Sequence, residues 1–115
     1  MDHIDLEVWK SSMDLVECIY QVSSVFPDSE KFGLTNQIRR AVVSVPSNIA
    51  EGSARKSDKE LLQFISIALG SLAEVETQLL IAKLLKYILN IDKELKLILK
   101  VKQLLLGFRN YIKRK

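Results

Sequence analysis

A heptad repeat of apolar residues constrains the fold of this chain more than any other feature of its sequence. Between Ser57 and Tyr87, apolar residues recur at alternating steps of four and three: Leu61, Ile65, Ala68, Leu72, Val75, Leu79 and Ala82. This spacing places them on one face of an α-helix. A second apolar set covers adjacent faces of the same helix: Leu62, Phe64, Ile67, Leu69, Leu80, Ile81 and Leu84. A helix that is apolar on most sides has to be buried on most sides, which favours an oligomer.

The helical period recurs in three other segments of the 115-residue chain. The stripe of the first segment is Leu6, Trp9, Met13, Val16 and Tyr20, widened by Val8, Leu15, Ile19 and Val22. The stripe of the second segment is Ile38, Ala41, Val42, Val45 and Ile49. The last segment has two stripes: Leu97, Val101, Leu104, Phe108 and Tyr111, and beside them Ile91, Leu95, Ile98, Leu105 and Ile112. They predict helices at about residues 6–26, 34–52, 57–87 and 91–113 in a single domain, 1–115. The predicted fold class is all-α, an up-down antiparallel four-helix bundle.

Polar residues and glycines mark where the predicted helices begin and end. A proline, a polar cluster and Gly33 follow the first helix. Ser57, with Glu60 three residues later, forms the capping-box pattern of a helix start. Asn90 or Asp92 is expected to begin the last helix.

A proline lies inside the second predicted helix. Pro46 lacks a backbone donor and crowds the carbonyl of Val42, at a cost of about 3 kcal/mol. We therefore expect a kink at Pro46, with a split into two shorter helices as the alternative. The short polar residues Ser47 and Asn48 follow, and such side chains can bond a loosened backbone. Local repair of the kink is the predicted role of this pair, and contact with a ligand is the alternative.

Charge is segregated along the chain. Residues 1–30 contain seven acidic residues and one lysine, whereas residues 91–115 contain eight basic and two acidic residues. Oppositely charged helices can simply pack as neighbours and orient the bundle. Alternatively, the basic segments form an exposed field that attracts phosphate backbones.

Several classes of chemistry lack the residues that they need. His3 is the only histidine and Cys18 the only cysteine, so neither a catalytic triad nor a zinc site is expected. No glycine-rich phosphate loop is present. The sequence therefore predicts no enzyme activity, no metal, no cofactor and no small-molecule substrate. Glu51 is interpreted as a residue of the C-terminal turn of its helix or as a partner of Arg39, Arg40 or Arg55. Gly70 is interpreted as a point where another helix approaches closely.

The location of the protein follows from the same residues. The acidic start Met1–Asp5 lacks the positive region of a signal peptide, and no stretch approaches 18 uninterrupted apolar residues. We expect a cytoplasmic protein with no membrane segment, in which Cys18 is a buried, reduced thiol.

Four blocks of the sequence resemble one bacterial family. They are Leu6–Lys10, Phe26–Pro27 with Phe32–Thr35, Gln37–Ser53 and Phe64–Leu79. Together they resemble the intervening-sequence proteins of 23S ribosomal RNA, a four-helix-bundle family. The most specific block contains the signature residues Pro46, Ser47, Asn48, Glu51 and Gly52.

The resemblance implies a ring-forming oligomer, a homopentamer, without catalytic activity. It also suggests association with RNA, because the family takes its name from sequences that interrupt ribosomal RNA genes. The family is similar to the accessory proteins of diversity-generating retroelements, which implies a reverse-transcriptase-like protein as another possible partner.

The resulting interpretation is a non-enzymatic scaffold that binds ribosomal or other structured RNA through basic side chains. The candidate residues are Arg39, Arg40, Arg55, Lys56, Lys113, Arg114 and Lys115. Neighbouring residues of a helix diverge by about 100°. One of Arg39 and Arg40 is therefore expected to be held internally by Glu51 or Glu74, and the other to face the surface or pore of the ring. The alternative function is a protein-protein adaptor ring with no nucleic-acid role.

Overall fold

The computed structural model describes residues 2–115, which form four α-helices and two short 3-10 turns, with no strand in that range. The α-helices are α1 (Glu7–Ser23), α2 (Leu34–Ser53), α3 (Asp58–Leu84) and α4 (Asp92–Arg114), and the 3-10 turns are His3–Asp5 and Asp28–Glu30. The prediction of an all-α chain with four helices is confirmed.

Helices α1 and α3 end earlier than their apolar spacing predicts, because backbone hydrogen bonding sets where they end. Helix α1 ends at Ser23 rather than Phe26. Helix α3 ends at Leu84 rather than Tyr87, because Lys86 adopts a left-handed conformation with a φ of 65°. The amide of Tyr87 then bonds the carbonyl of Ala82 at 2.9 Å, the long-range bond of a Schellman ending.

The start of α3 forms as the sequence predicts. The hydroxyl of Ser57 accepts a hydrogen bond from the amide of Glu60 at 3.2 Å, which satisfies one free donor of the first turn. The carboxylate of Glu60 accepts in return from the Ser57 hydroxyl, at 3.2 Å. This differs from the usual capping box, in which the carboxylate accepts from the backbone amide of the cap residue.

Each helix packs on two others. Helices α1 and α3 both contact α2 and α4, so α1 and α3 occupy diagonal positions around one core. All seven residues of the heptad repeat in α3 are buried, and so are Ile38, Ala41, Val42, Val45 and Ile49 of α2. The sequence therefore identified the core-facing sides of α2 and α3.

The core-facing side of α1 differs from its principal predicted stripe. Val8, Leu15, Ile19 and Val22, the residues that widened the stripe, are the buried ones. Met13 and Tyr20 of the stripe itself are exposed, and Trp9 and Val16 are half-buried. The two sets lie on adjoining faces of one helix, so spacing alone could not decide which of them faces the core.

Helices α2 and α3 are in close contact at Gly52. A Cβ atom at this position would lie 2.7 Å from Cβ of Phe64 and 3.0 Å from Cδ1 of Leu61. Polar side chains join the same two helices further along: the Ser44 and Ser71 hydroxyls lie 2.8 Å apart.

Helix α2 is a single helix that contains Pro46. The alternative of two shorter helices is therefore not what the chain forms. Asn48 donates from Nδ2 to the carbonyl of Ser44 at 2.7 Å and to the Ser44 hydroxyl at 2.9 Å. Asn48 therefore bonds Ser44 and not the Val42 carbonyl, the one that Pro46 leaves without its helical donor, so the predicted repair of that carbonyl is not what Asn48 does.

Helix α3 is strongly apolar, although most of its residues are not buried. One 18-residue window reaches a mean hydropathy of 1.4, yet only 33% of that window is buried. By length and composition alone α3 could cross a membrane, a test that core helices of soluble proteins also pass. The absence of a membrane segment remains a prediction.

Candidate nucleic-acid interface

Arg39 is half-buried and is held by the end of α1. Its Nε donates to the Ser23 hydroxyl at 2.8 Å, and Nη2 donates to the Tyr20 carbonyl at 3.2 Å. The guanidinium also lies over the Tyr20 ring, 4.6 Å from its centroid. Two hydrogen bonds and a cation–π contact commit Arg39 to joining α2 to α1, so it is poorly placed to bind phosphate.

Arg40, the next residue, is exposed on the outer face of α2. One arginine is therefore held and its neighbour is exposed, as expected. The expected partner was wrong, because Arg39 bonds the end of α1 and neither Glu51 nor Glu74. Glu51 pairs instead with Arg55, at 3.1 Å.

Arg55 and Lys56 lie in the connection between α2 and α3. Besides its bond to Glu51, the Arg55 guanidinium lies 4.9 Å from the centroid of the Phe64 ring. Both contacts are on the surface, and an exposed ion pair contributes little stability. Arg55 can therefore exchange its partner for a phosphate, and Lys56 is exposed beside it.

The last turn of α4 comes close to this connection. Lys115 Nζ lies 3.5 Å from Asp58 Oδ1, at the start of α3. Lys113 and Arg114 are exposed in the same turn. The structure thus brings five of the seven candidates to one end of the molecule: Arg55, Lys56, Lys113, Arg114 and Lys115. Arg39 lies about 21 Å from the end of α2 that leads to Arg55 and is separate from this group.

A row of lysines on α4 was missed as a candidate site. Lys93, Lys96 and Lys100 are spaced by three and four residues, so they lie on one side of the helix, and all three are exposed. The ion pairs within residues 2–115 are Arg55–Glu51 and Lys115–Asp58, and neither involves this row. The signal in the sequence was the lysine spacing, which the apolar stripes of the same helix obscured.

The signature residues have different surroundings. Ser47 is exposed and lines a groove of about 380 Å³ between α1 and α2, together with Trp9, Met13, Val43 and Ala50. Asn48 bonds Ser44, and Gly52 is the close contact with α3. These residues therefore shape α2, its neighbour α3 and a groove, and they do not converge on a single polar site.

The titratable groups offer little to a reaction. No group of three His, Cys, Asp or Glu side chains within residues 2–115 could hold a metal ion. Cys18 is buried, and burial followed by the nearby Glu94 carboxylate raises its pKa, which disfavours the reactive thiolate.

Glu30 is a structural carboxylate. It accepts from the Leu34 amide at 3.0 Å and from the Tyr87 hydroxyl at 2.7 Å. These bonds, the amide first, lower the pKa of Glu30, and the same carboxylate raises the pKa of Tyr87. Glu30 thus joins the start of α2 to the connection between α3 and α4.

Comparison with protein families identifies the family of this chain. The family model described as 23S rRNA-intervening sequence protein matches residues 4–107. The chain belongs to this family. No curated protein matches it. The match to the intervening-sequence family spans α1, α2 and α3 and most of α4, so it includes the signature residues and the lysine row but ends before Lys113.

Proposed function

We propose that this intervening-sequence protein is a non-enzymatic helical scaffold that binds structured RNA through its basic surface. Its four helices form an up-down antiparallel bundle with a bend at Pro46, and copies assemble as a ring, a homopentamer, in the cytoplasm. The family description, which refers to 23S rRNA, supports an RNA-related role.

The exposed basic side chains of α4 carry the proposal. Lys93, Lys96 and Lys100 follow one side of the helix, and Lys113 and Arg114 are exposed at its end. From Lys93 to Arg114 the helix rises about 31 Å, since each residue adds about 1.5 Å. The lysine row itself, Lys93 to Lys100, spans about 10 Å of this length. It can contact neighbouring phosphates of one nucleic-acid strand and release their counterions, and Lys113 and Arg114 add a separate contact point at the end of the helix.

Contact with the phosphate backbone is the binding mode that these residues support. Lysine is a flexible point charge, and arginine bonds two phosphate oxygens with its planar group. Contacts of this kind position a protein on nucleic acid but carry no base information. Binding should therefore depend on RNA shape and charge and show weak sequence preference.

A protein-protein adaptor is the second candidate function. It is favoured by the groove between α1 and α2, where Met13 and Val43 are exposed apolar residues. An adaptor needs no basic row, so RNA binding separates the two functions.

A salt titration of RNA binding tests the proposal. Lys93→Glu, Lys96→Glu and Lys100→Glu are combined in one variant, and Lys10→Glu, Lys31→Glu and Lys59→Glu form a control with the same change in net charge. The probes are ribosomal RNA and a generic RNA duplex, between 50 mM and 200 mM salt.

The wild type should bind both probes, with affinity falling steeply as salt rises. The α4 variant should bind far more weakly, and its slope in log Kd against log salt should be smaller by about two to three units, at about 0.9 for each phosphate that it no longer neutralises. The slope of the control should fall by less than half as much. Absence of wild-type binding near physiological salt contradicts RNA binding and leaves the adaptor.

A further inference from the structure

Helix α3 has a second heptad row on its outward side. Gln63, Ile67, Gly70, Glu74, Thr77, Ile81 and Leu84 repeat the four-three alternation of the buried row, displaced by two residues. Two residues correspond to about 200° around a helix, so this row points away from the core. All seven residues are exposed, and we call this row the outward seam.

The outward seam has the composition of a helix-packing surface. Ile67 is 50% exposed and Leu84 78% exposed, although both are large apolar residues. Between Ile67 and Ile81, a Cβ atom at Gly70 would have no neighbour within 4 Å. A glycine costs about 1 kcal/mol relative to alanine inside a helix, and no contact within residues 2–115 requires it at Gly70. A second helix could approach closely there.

A complementary surface lies between α2 and α1, the helix diagonally opposite α3. Trp9, Met13 and Val16 of α1 form one wall of the groove described above, and Val43, Ser47 and Ala50 of α2 form the other. Large side chains on one wall and mostly small ones on the other leave room for a helix between them. We call this surface the α1–α2 groove.

The outward seam and the α1–α2 groove lie on different sides of the bundle, so a symmetric pair of copies does not cover both. A contact of groove with groove leaves every outward seam exposed, and a contact of seam with seam leaves every groove open. A contact of seam with groove covers both, and it repeats from copy to copy, as in rings and helical assemblies.

We propose that the outward seam of α3 in one copy packs into the α1–α2 groove of the next copy. This inference rests on the proposed oligomer and names its interface. The sequence predicted that another helix approaches closely at Gly70, and no helix of the same chain does so. In this interface, a helix of the next copy approaches Gly70.

Charge complementarity supports this pairing and suggests its register. Arg40 is exposed on the α2 side of the groove, and Glu74 is exposed in the middle of the seam. Within the chain, Ser44 lies beside Ser71 and Gln37 beside Gln78, so Arg40 is level with the α3 turn containing Glu74. In a ring whose axis is parallel to the helices, neighbouring copies lie at the same height along that axis. Arg40 of one copy then lies next to Glu74 of the neighbouring copy.

Mixing two variants tests the proposal. Ile67→Glu with Ile81→Glu disables the seam and leaves the groove intact; Met13→Glu with Val43→Glu disables the groove and leaves the seam intact. All four side chains are exposed, so the substitutions should be compatible with folding, which circular dichroism checks. The matched control is Val25→Glu with Leu89→Glu, at positions 63% and 79% exposed in the connections after α1 and α3.

Light scattering should give an oligomer for the wild type and the control, and the 13.1 kDa monomer for each variant alone. An equimolar mixture should form a dimer, because only one intact seam and one intact groove can meet. Oligomeric variants, or a mixture that stays monomeric, would overturn the interface while leaving the proposed oligomer standing. A monomeric wild type overturns the oligomer and this interface together. If that monomer also floats with phosphatidylcholine vesicles, the outward seam binds lipid instead of another copy.

Charge exchange tests the register separately. Arg40→Glu should weaken assembly at least tenfold in the dissociation constant, and adding Glu74→Arg to the same chain should restore most of the loss. A double variant as weak as Arg40→Glu alone would overturn the pairing of Arg40 with Glu74.

Discussion

The two faces of α3 have the same heptad spacing but different surroundings. The inward row consists of leucine, isoleucine, valine and alanine, and each of its residues is at least 95% buried. The outward seam keeps only three large apolar residues, with Gly70, Glu74 and Thr77 between them, and all of it is exposed. Spacing therefore identifies a helix face that can pack, and composition distinguishes a permanent core from a face that tolerates water.

Leu72→Ala and Ile67→Ala should separate the two faces most strongly. Leu72 is 2% exposed, so Leu72→Ala leaves a cavity and should lower the free energy of unfolding by about 2–5 kcal/mol at every protein concentration. Ile67→Ala should change the stability of the monomer by about 0.5 kcal/mol or less. Urea denaturation over a range of protein concentrations measures both, and equal losses would contradict the distinction.

The two glycines should respond in opposite directions to alanine. Gly52→Ala places a methyl group against Phe64 and should lower the free energy of unfolding by about 1–3 kcal/mol. Gly70→Ala meets no atom within the chain and should raise it by up to about 1 kcal/mol in the monomer. Thermal denaturation at low protein concentration compares them; a destabilised Gly70→Ala monomer would contradict an open outward face.

Arg39 and Arg40 provide the same comparison on α2. Arg39→Ala removes the hydrogen bonds to Ser23 and Tyr20 and should lower the free energy of unfolding by about 1–2 kcal/mol. Arg40→Ala should change monomer stability by about 0.5 kcal/mol or less, because Arg40 is exposed. Chemical denaturation of both variants tests this, and the division fails if both losses are equally small.

The smallest expected effect concerns Glu30 and pH. Because its folded-state pKa is lowered, Glu30 contributes stability above the ordinary value of 4.5, and this contribution is lost as pH falls through the folded pKa. The difference in melting temperature between wild type and Glu30→Gln should therefore be largest near neutral pH and shrink as the pH falls below 4.5. A difference unchanged by acid would show that the carboxylate charge is not what Leu34 and Tyr87 bind.

Tyr87→Phe is the matched variant for this bond. It keeps the ring that packs near Phe26 and removes only the hydroxyl. Its loss should be smaller than that of Glu30→Gln, because the Leu34 bond to the carboxylate remains. The raised pKa of Tyr87 gives the opposite dependence at alkaline pH: its contribution is present below the ordinary value of 10.0 and is lost as pH rises through the folded pKa.

The candidate site shows where prediction from the sequence stopped. The sequence shows that Arg39 and Lys93 are both charged. It does not show which of the two side chains bonds other residues of the same chain. Arg39 is held because the end of α1 presents a serine hydroxyl, a free carbonyl and an aromatic ring within its reach. Lys93 was overlooked because its helix also carries two apolar stripes, and only packing showed which side of α4 remains exposed.

The sequence by itself determined the number and kind of helices, the N-cap at Ser57 and the core-facing sides of α2 and α3. These features depend on local spacing and on hydrogen bonds between residues a few positions apart. Tertiary structure decided which face of α1 is buried, where Arg39 bonds and that Gly52 rather than Gly70 is the close contact within the chain. Those outcomes depend on side chains distant in the sequence, whose positions are fixed only when the helices pack.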